Sequence, residues 1–161
     1  MKELLDKISS YNLFNYLLPG ILFAVLSREI TTYSFLQENL IIGVFVCYFI
    51  GLVVSRIGSL IIEPILRKLA FLNFADYKDF IAASQKDSKI ELLSEFNNMY
   101  RPLTSLFILL VLLKVYELIE SKLPILTDWN SYILLALLLF IFLFSYRKQT
   151  TYIIKRIKSK C

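Results

Sequence analysis

A 161-residue chain has room for one domain, yet its 57% hydrophobic content and mean hydropathy of +0.63 go with an apolar share above the roughly 45–50% typical of soluble domains. Its net charge of +5 and pI near 9.2 would suit a nucleic-acid partner, but the bases stand just beyond the apolar blocks, where anionic headgroups and the positive-inside rule put them. The chain has no histidine, which excludes histidine acid–base chemistry and histidine metal ligation.

The apolar residues gather into four long blocks rather than amphipathic stripes, a pattern that predicts helices surrounded by lipid or by one another. The first block, "YNLFNYLLPGILFAVL", runs from Tyr11 to Leu26. At ~1.5 Å per residue it covers about 24 Å, short of a ~30 Å hydrocarbon core, so the span should borrow a turn at one end. Pro19 and Gly20 in its middle predict a kink, because proline cannot bond the carbonyl four residues back. The preceding "MKELLDKISS" mixes acids with bases and no small-residue cleavage site follows, so no cleavable signal is expected.

The second block runs from about Leu40 to Ile62, with Glu63 and Pro64 placed to end it. Inside it Gly43, Cys47, Gly51, Ser55 and Ser59 recur every four residues and form one ridge of small side chains. Lipid tails are as apolar as leucine, so helices associate in a membrane by close approach, which such a ridge permits. It should contact another helix, in the same chain or in a second copy; the sequence leaves both open. Arg56 stands beside the ridge. A charge at that depth costs a few kcal/mol unless paired or hydrated. It therefore either snorkels to the headgroups or faces a polar interior beside Asn12 or Asn15 of the first span.

Residues 65 to 101 are too long and too patterned for a simple connector and predict two short helices forming a cytoplasmic hairpin. Asn73 with Asp76, and Ser88 with Glu91, are the expected caps. Ile90, Leu93, Phe96 and Tyr100 recur at three and four residues, as do Tyr77, Phe80, Ile81 and Ser84. Tyr77, Phe80, Ile90, Leu93, Phe96 and Tyr100 are thus candidates to dock a cytosolic protein; the same faces would also serve for packing on one another or lying on the bilayer.

The third block follows Arg101, with Pro102 suited to the first helical position and a clean apolar core from Leu103 to Leu113. Lys114 and Glu117 then intrude, three apart on one face and able to pair, and Glu120 extends the polar strip. The strip either lines an aqueous path or marks where the span leaves the bilayer. With Asn12, Asn15 and Arg56, Lys114 and Glu117 make up the polar residues expected within the membrane; the two asparagines are alternatively simple interhelical glue. The fourth block, Trp129 to Tyr146, carries Trp129, Tyr132 and Tyr146 as interfacial belts. Beyond it Arg147, Lys148, Lys155, Arg156 and Lys158 interleave with Tyr152, Ile153, Ile154 and Ile157, a basic set expected to rest on anionic headgroups.

Fourteen of the eighteen Lys and Arg fall in the N-terminal segment, the middle loop and the tail, against Arg28 and Lys122 in the other two loops. Both termini and the middle loop are therefore expected in the cytoplasm, with a boundary pattern of 1–64, 65–101, 102–146 and 147–161. Cys47 and Cys161 lie far apart without CxxC spacing, so neither a disulfide framework nor a zinc site is expected. No GxSxG, P-loop or GxGxxG occurs, and Asp76, Asp79 and Asp87 read as solvated surface charge; no catalytic residue, cofactor or metal is expected.

In architecture, through "YNLFNYLLPGILFAVL", "FIGLVVSRIGSLIIEP", the helical middle loop and the basic tail, the chain resembles the small four-span bacterial inner-membrane proteins of phage-defence systems, of the Kiwa membrane-subunit type. That resemblance implies a homo-oligomer that senses membrane perturbation and engages or restrains a cytosolic effector. The expectation is an all-α polytopic membrane protein with four transmembrane helices, acting as a non-enzymatic, oligomerising scaffold or sensor. The competing classes are a small ion channel or transporter and a membrane-disrupting pore.

Overall fold

The computed structural model describes residues 13–158, and among them every regular element is helical. A π-turn, Leu13–Leu17, leads into α1 (Leu18–Ile30); α2 (Leu40–Ile57) runs through a second π-turn, Gly58–Ile62, into α3 (Glu63–Lys68). Then come α4 (Tyr77–Lys86), α5 (Lys89–Glu120) and α6 (Ile125–Lys158). Four helical runs are long and apolar enough to cross a membrane: Leu13–Ile30, Leu40–Lys68, Lys89–Glu120 and Ile125–Lys158.

Prolines govern the details, and Pro64 and Pro102 do so differently from the expectations above. Each π-turn ends two residues before a proline, Pro19 in the first case and Pro64 in the second. Proline has no N–H for the carbonyl four residues back, and a ladder slipped by one residue carries the helix past that gap. Pro64 therefore does not end the second span, which continues to Lys68. Pro102 does not open the third span either: it lies inside α5, fully buried, and the helix begins thirteen residues earlier at Lys89. The second helix expected in the middle loop is thus the beginning of the third span rather than a separate element, while α4 stands alone.

The caps also differ. Asp76 precedes α4 and Ser88 precedes α5, but neither side chain makes a capping hydrogen bond. The carboxylate of Asp87 accepts from the Lys89 N–H at 2.9 Å instead. The Asn39 side chain caps α2, accepting from Ile41 and Ile42 N–H at 3.0 and 3.2 Å. Ala70, at φ 56°, turns the chain out of α3 in the left-handed conformation common after a helix end.

The core belongs to α1, α2 and α5, where Phe23, Val54, Leu106 and Leu110 form one buried cluster. Ala24, Ser27 and Ser105 are also fully buried, so small residues set the spacing of these three helices. The fourth run is different: only 6% of its apolar window is buried, Ile141 and Ser145 are the buried residues of the whole helix, and Phe142 stacks on Phe49 of α2.

Candidate functional site

The small-residue ridge finds its partner inside the chain. A Cβ on Gly20 would stand 1.7 Å from the Cys47 carbonyl oxygen, and one on Gly51 would stand 1.7 Å from that of Tyr16. The two glycines put backbone against backbone, and the pairing of residue 20 with 47 and of 16 with 51 makes the helices antiparallel. Cys47, Gly51, Ser55 and Ser59 are all buried, whereas Gly43 at the far end meets only Gln37 at 3.8 Å. Gly20 thus acts as the other half of the seam, a role that a single glycine beside a proline does not signal in the sequence. Gly58, which the four-residue spacing passes over, lets α5 approach: its Cβ would fall 2.1 Å from Ser105 Oγ.

At one end of the bundle a polar network joins three elements. Lys114 Nζ lies 2.6 Å from Glu117 Oε2, and the Thr32 N–H donates to Glu117 Oε1 at 2.7 Å. Asn130 Nδ2 donates to Glu120 Oε1 at 2.6 Å, while the Tyr33 hydroxyl donates to Glu120 Oε2 and the Tyr116 hydroxyl to Asn130. Both oxygens of each carboxylate are engaged, so the loop after α1, the end of α5 and the start of α6 are tied together. Burial and the adjoining Glu120 carboxylate push the Tyr33 phenol well above its ordinary pKa, so it stays a donor to Glu120. Glu120 and Lys114 also line an open groove with Thr32 and Thr127.

The opposite end is cationic. Arg101 pairs with Glu63 at 3.4 Å and reaches Asn98 at 3.5 Å, joining α5 to α3. Lys148 crosses from α6 to the second π-turn, donating to Ser59 Oγ at 2.7 Å and to the Ser59 carbonyl, with its ammonium 5.7 Å from the Tyr152 ring centroid. Arg67 stacks over Phe74 at 5.0 Å. Arg56 is half-buried on the last turn of α2. Asn15 is buried in the first π-turn, and Asn12 lies outside the described residues.

The predicted docking residues divide by exposure. Tyr77, Phe80 and Ile90 are half-buried where α4 meets the beginning of α5, while Leu93, Phe96 and Tyr100 are exposed at 66%, 51% and 67%. Arg147, Lys155, Arg156 and Lys158 are exposed along the end of α6. Among the described residues no cluster of three or more His, Cys, Asp or Glu is placed to hold a metal ion, and Cys47 is a buried free thiol.

The Glu63–Arg101 and Tyr33–Glu120 pairs carry no periodic signal in the sequence, being 38 and 87 residues apart. Asn130 lay in plain sight one residue after the Trp129 belt, but nothing in one sequence assigns it two partners. No family model, curated protein or solved structure matches the chain.

Proposed function

We propose that the chain is a non-enzymatic scaffold or sensor of a bacterial inner membrane, oligomeric, with both termini in the cytoplasm, docking a cytosolic effector in the manner its resemblance to phage-defence membrane subunits implies. The observation that carries this reading is the row Leu93, Phe96 and Tyr100: three large apolar side chains, all exposed, on a stretch of α5 that continues without a break into a membrane-length helix. Exposed apolar surface of this kind at the end of a helix longer than a bilayer is thick favours a protein partner. The broad apolar exposure of α6 supports a role for further copies of the chain or for lipid around it.

The test is co-purification from detergent-solubilised membranes of the native host. A cytosolic protein should accompany the wild type and be lost from Leu93→Glu/Phe96→Glu, which leaves every buried core residue in place. Retention by that variant would sink the docking face. The channel reading rests on Lys114 and Glu120 at an open groove. Ion flux through protein-bearing liposomes, abolished by Arg56→Ala or Lys114→Ala, would select it instead. Reporter fusions at positions 85 and 161 should both report the cytoplasm; opposite leaflets would overturn the topology.

A further inference from the structure

The Lys148 end of the bundle holds more positive charge than its own acids neutralise. Lys148 is bonded to neutral groups, the hydroxyl and carbonyl of Ser59. Glu63 nearby is already paired with Arg101, while Arg56 and Arg67 on the last turns of α2 and α3 add two further guanidiniums. Arg147 and Lys155 add two more bases on the same face of α6, four residues to either side of Thr151.

Arg147, Lys148 and Lys155 border an open groove between the second π-turn and α6. Arg147, Lys148, Tyr152 and Lys155 line its polar part, and Leu60 and Phe144 line its apolar part. Phe144 is half exposed and stacks on Phe140, which is 61% exposed one turn deeper into the span. The groove therefore joins a cationic mouth to an apolar track that runs along a membrane-length helix. An inorganic anion would use only the mouth; a molecule with a phosphate at one end and a hydrocarbon chain at the other would use both.

We propose that this groove binds the phosphodiester headgroup of an anionic phospholipid. Arg147, Lys148 and Lys155 hold the phosphate, and Leu60, Phe144 and Phe140 take the upper part of one acyl chain. Basic clefts between spanning helices recognise headgroups through this combination of local charge and adjoining hydrocarbon. The site differs from general attraction of a basic tail to a charged surface, because it depends on bases that line the groove and not on Lys158 beyond it. It rests on the membrane-spanning architecture but is independent of any cytosolic partner, since no residue between 77 and 100 takes part.

The test is thermal unfolding of the purified full chain in a neutral detergent, titrated with dioctanoyl phosphatidylglycerol, dioctanoyl phosphatidylcholine or inorganic phosphate. Ligands that bind the folded state raise its melting temperature in a saturable way. Phosphatidylglycerol should do so, and the zwitterionic lipid and inorganic phosphate at equal concentration should not. Arg147→Gln/Lys155→Gln, on exposed positions outside the core, should weaken the phosphatidylglycerol response about tenfold or more, and Lys158→Gln should leave it unchanged. Equal stabilisation by phosphatidylcholine would show that charge plays no part. An equal response to inorganic phosphate would assign the mouth to soluble phosphates and overturn the lipid. Equal loss from Lys158→Gln would reduce the effect to diffuse charge and overturn the groove.

Discussion

The seam between α1 and α2 and the contact of α6 with the rest of the bundle represent two ways of holding a helix. At the seam two glycines bring backbones together so closely that no side chain fits between them. Along α6, among the described residues, only Ile141 and Ser145 are buried, beside the partly exposed Phe142–Phe49 stack, with Asn130 tied to Glu120 at one end and Lys148 to Ser59 at the other. Where lipid is as good a neighbour as leucine, apolar bulk alone does not fasten a helix; close backbone approach and hydrogen bonds do. The seam relies on the first of these and α6 chiefly on the second.

Substitutions should separate the two. Gly51→Ala has the largest expected effect: its methyl would collide with the Tyr16 carbonyl, and parting the helices should cost more than about 3 kcal/mol, read as loss of folded protein in urea or heat. Survival of Gly51→Ala with an unchanged melting temperature would dismantle the account of the seam. Asn130→Ala removes two hydrogen bonds and should cost about 1 kcal/mol, appearing as faster amide exchange across residues 121–130 while the seam stays protected. Lys148→Met keeps the aliphatic stem and loses the Ser59 contacts; a destabilisation below about 1 kcal/mol is expected, confined to the far end of α6. Leu135→Ala, at 67% exposure, should change the stability of an isolated protomer by less than about 0.5 kcal/mol. A larger loss that scales with protein concentration would mean that another copy covers this face.

The four spans are legible in the sequence because hydropathy registers the solvent that a segment requires. Their limits are less so, since a helix continues wherever its backbone bonds continue. α5 starts at Lys89 and α6 reaches Lys158, both through stretches that look like polar loop or tail. Prolines are ambiguous for a related reason: Pro64 and Pro102 look like punctuation, but a π-turn carries the helix past the first, and α5 runs through the second. The ridge from Cys47 to Ser59 was visible through its spacing, while its counterpart at Gly20 was not, because a single glycine beside a proline has no period. The pair Lys114–Glu117 shares one helix and could be read directly; Glu63–Arg101 joins two elements and could not.

The unbroken course of α5 has a mechanical consequence. Its 32 residues extend about 48 Å, beyond the ~30 Å of hydrocarbon, and it rests on Gly58 near its midpoint through Ser105. Together with the neighbouring Leu106 and Leu110 it marks the packed middle of the helix, about which α5 would tilt, with Leu93 and Phe96 on one arm and Glu117 and Glu120 on the other. A tilt of about 5° would displace each tip by about 2 Å in opposite directions, enough to strain the hydrogen bonds that Thr32 makes to Glu117 and Asn130 to Glu120 at 2.7 and 2.6 Å. Load applied at one tip of α5 would therefore reach the other tip with its sign reversed.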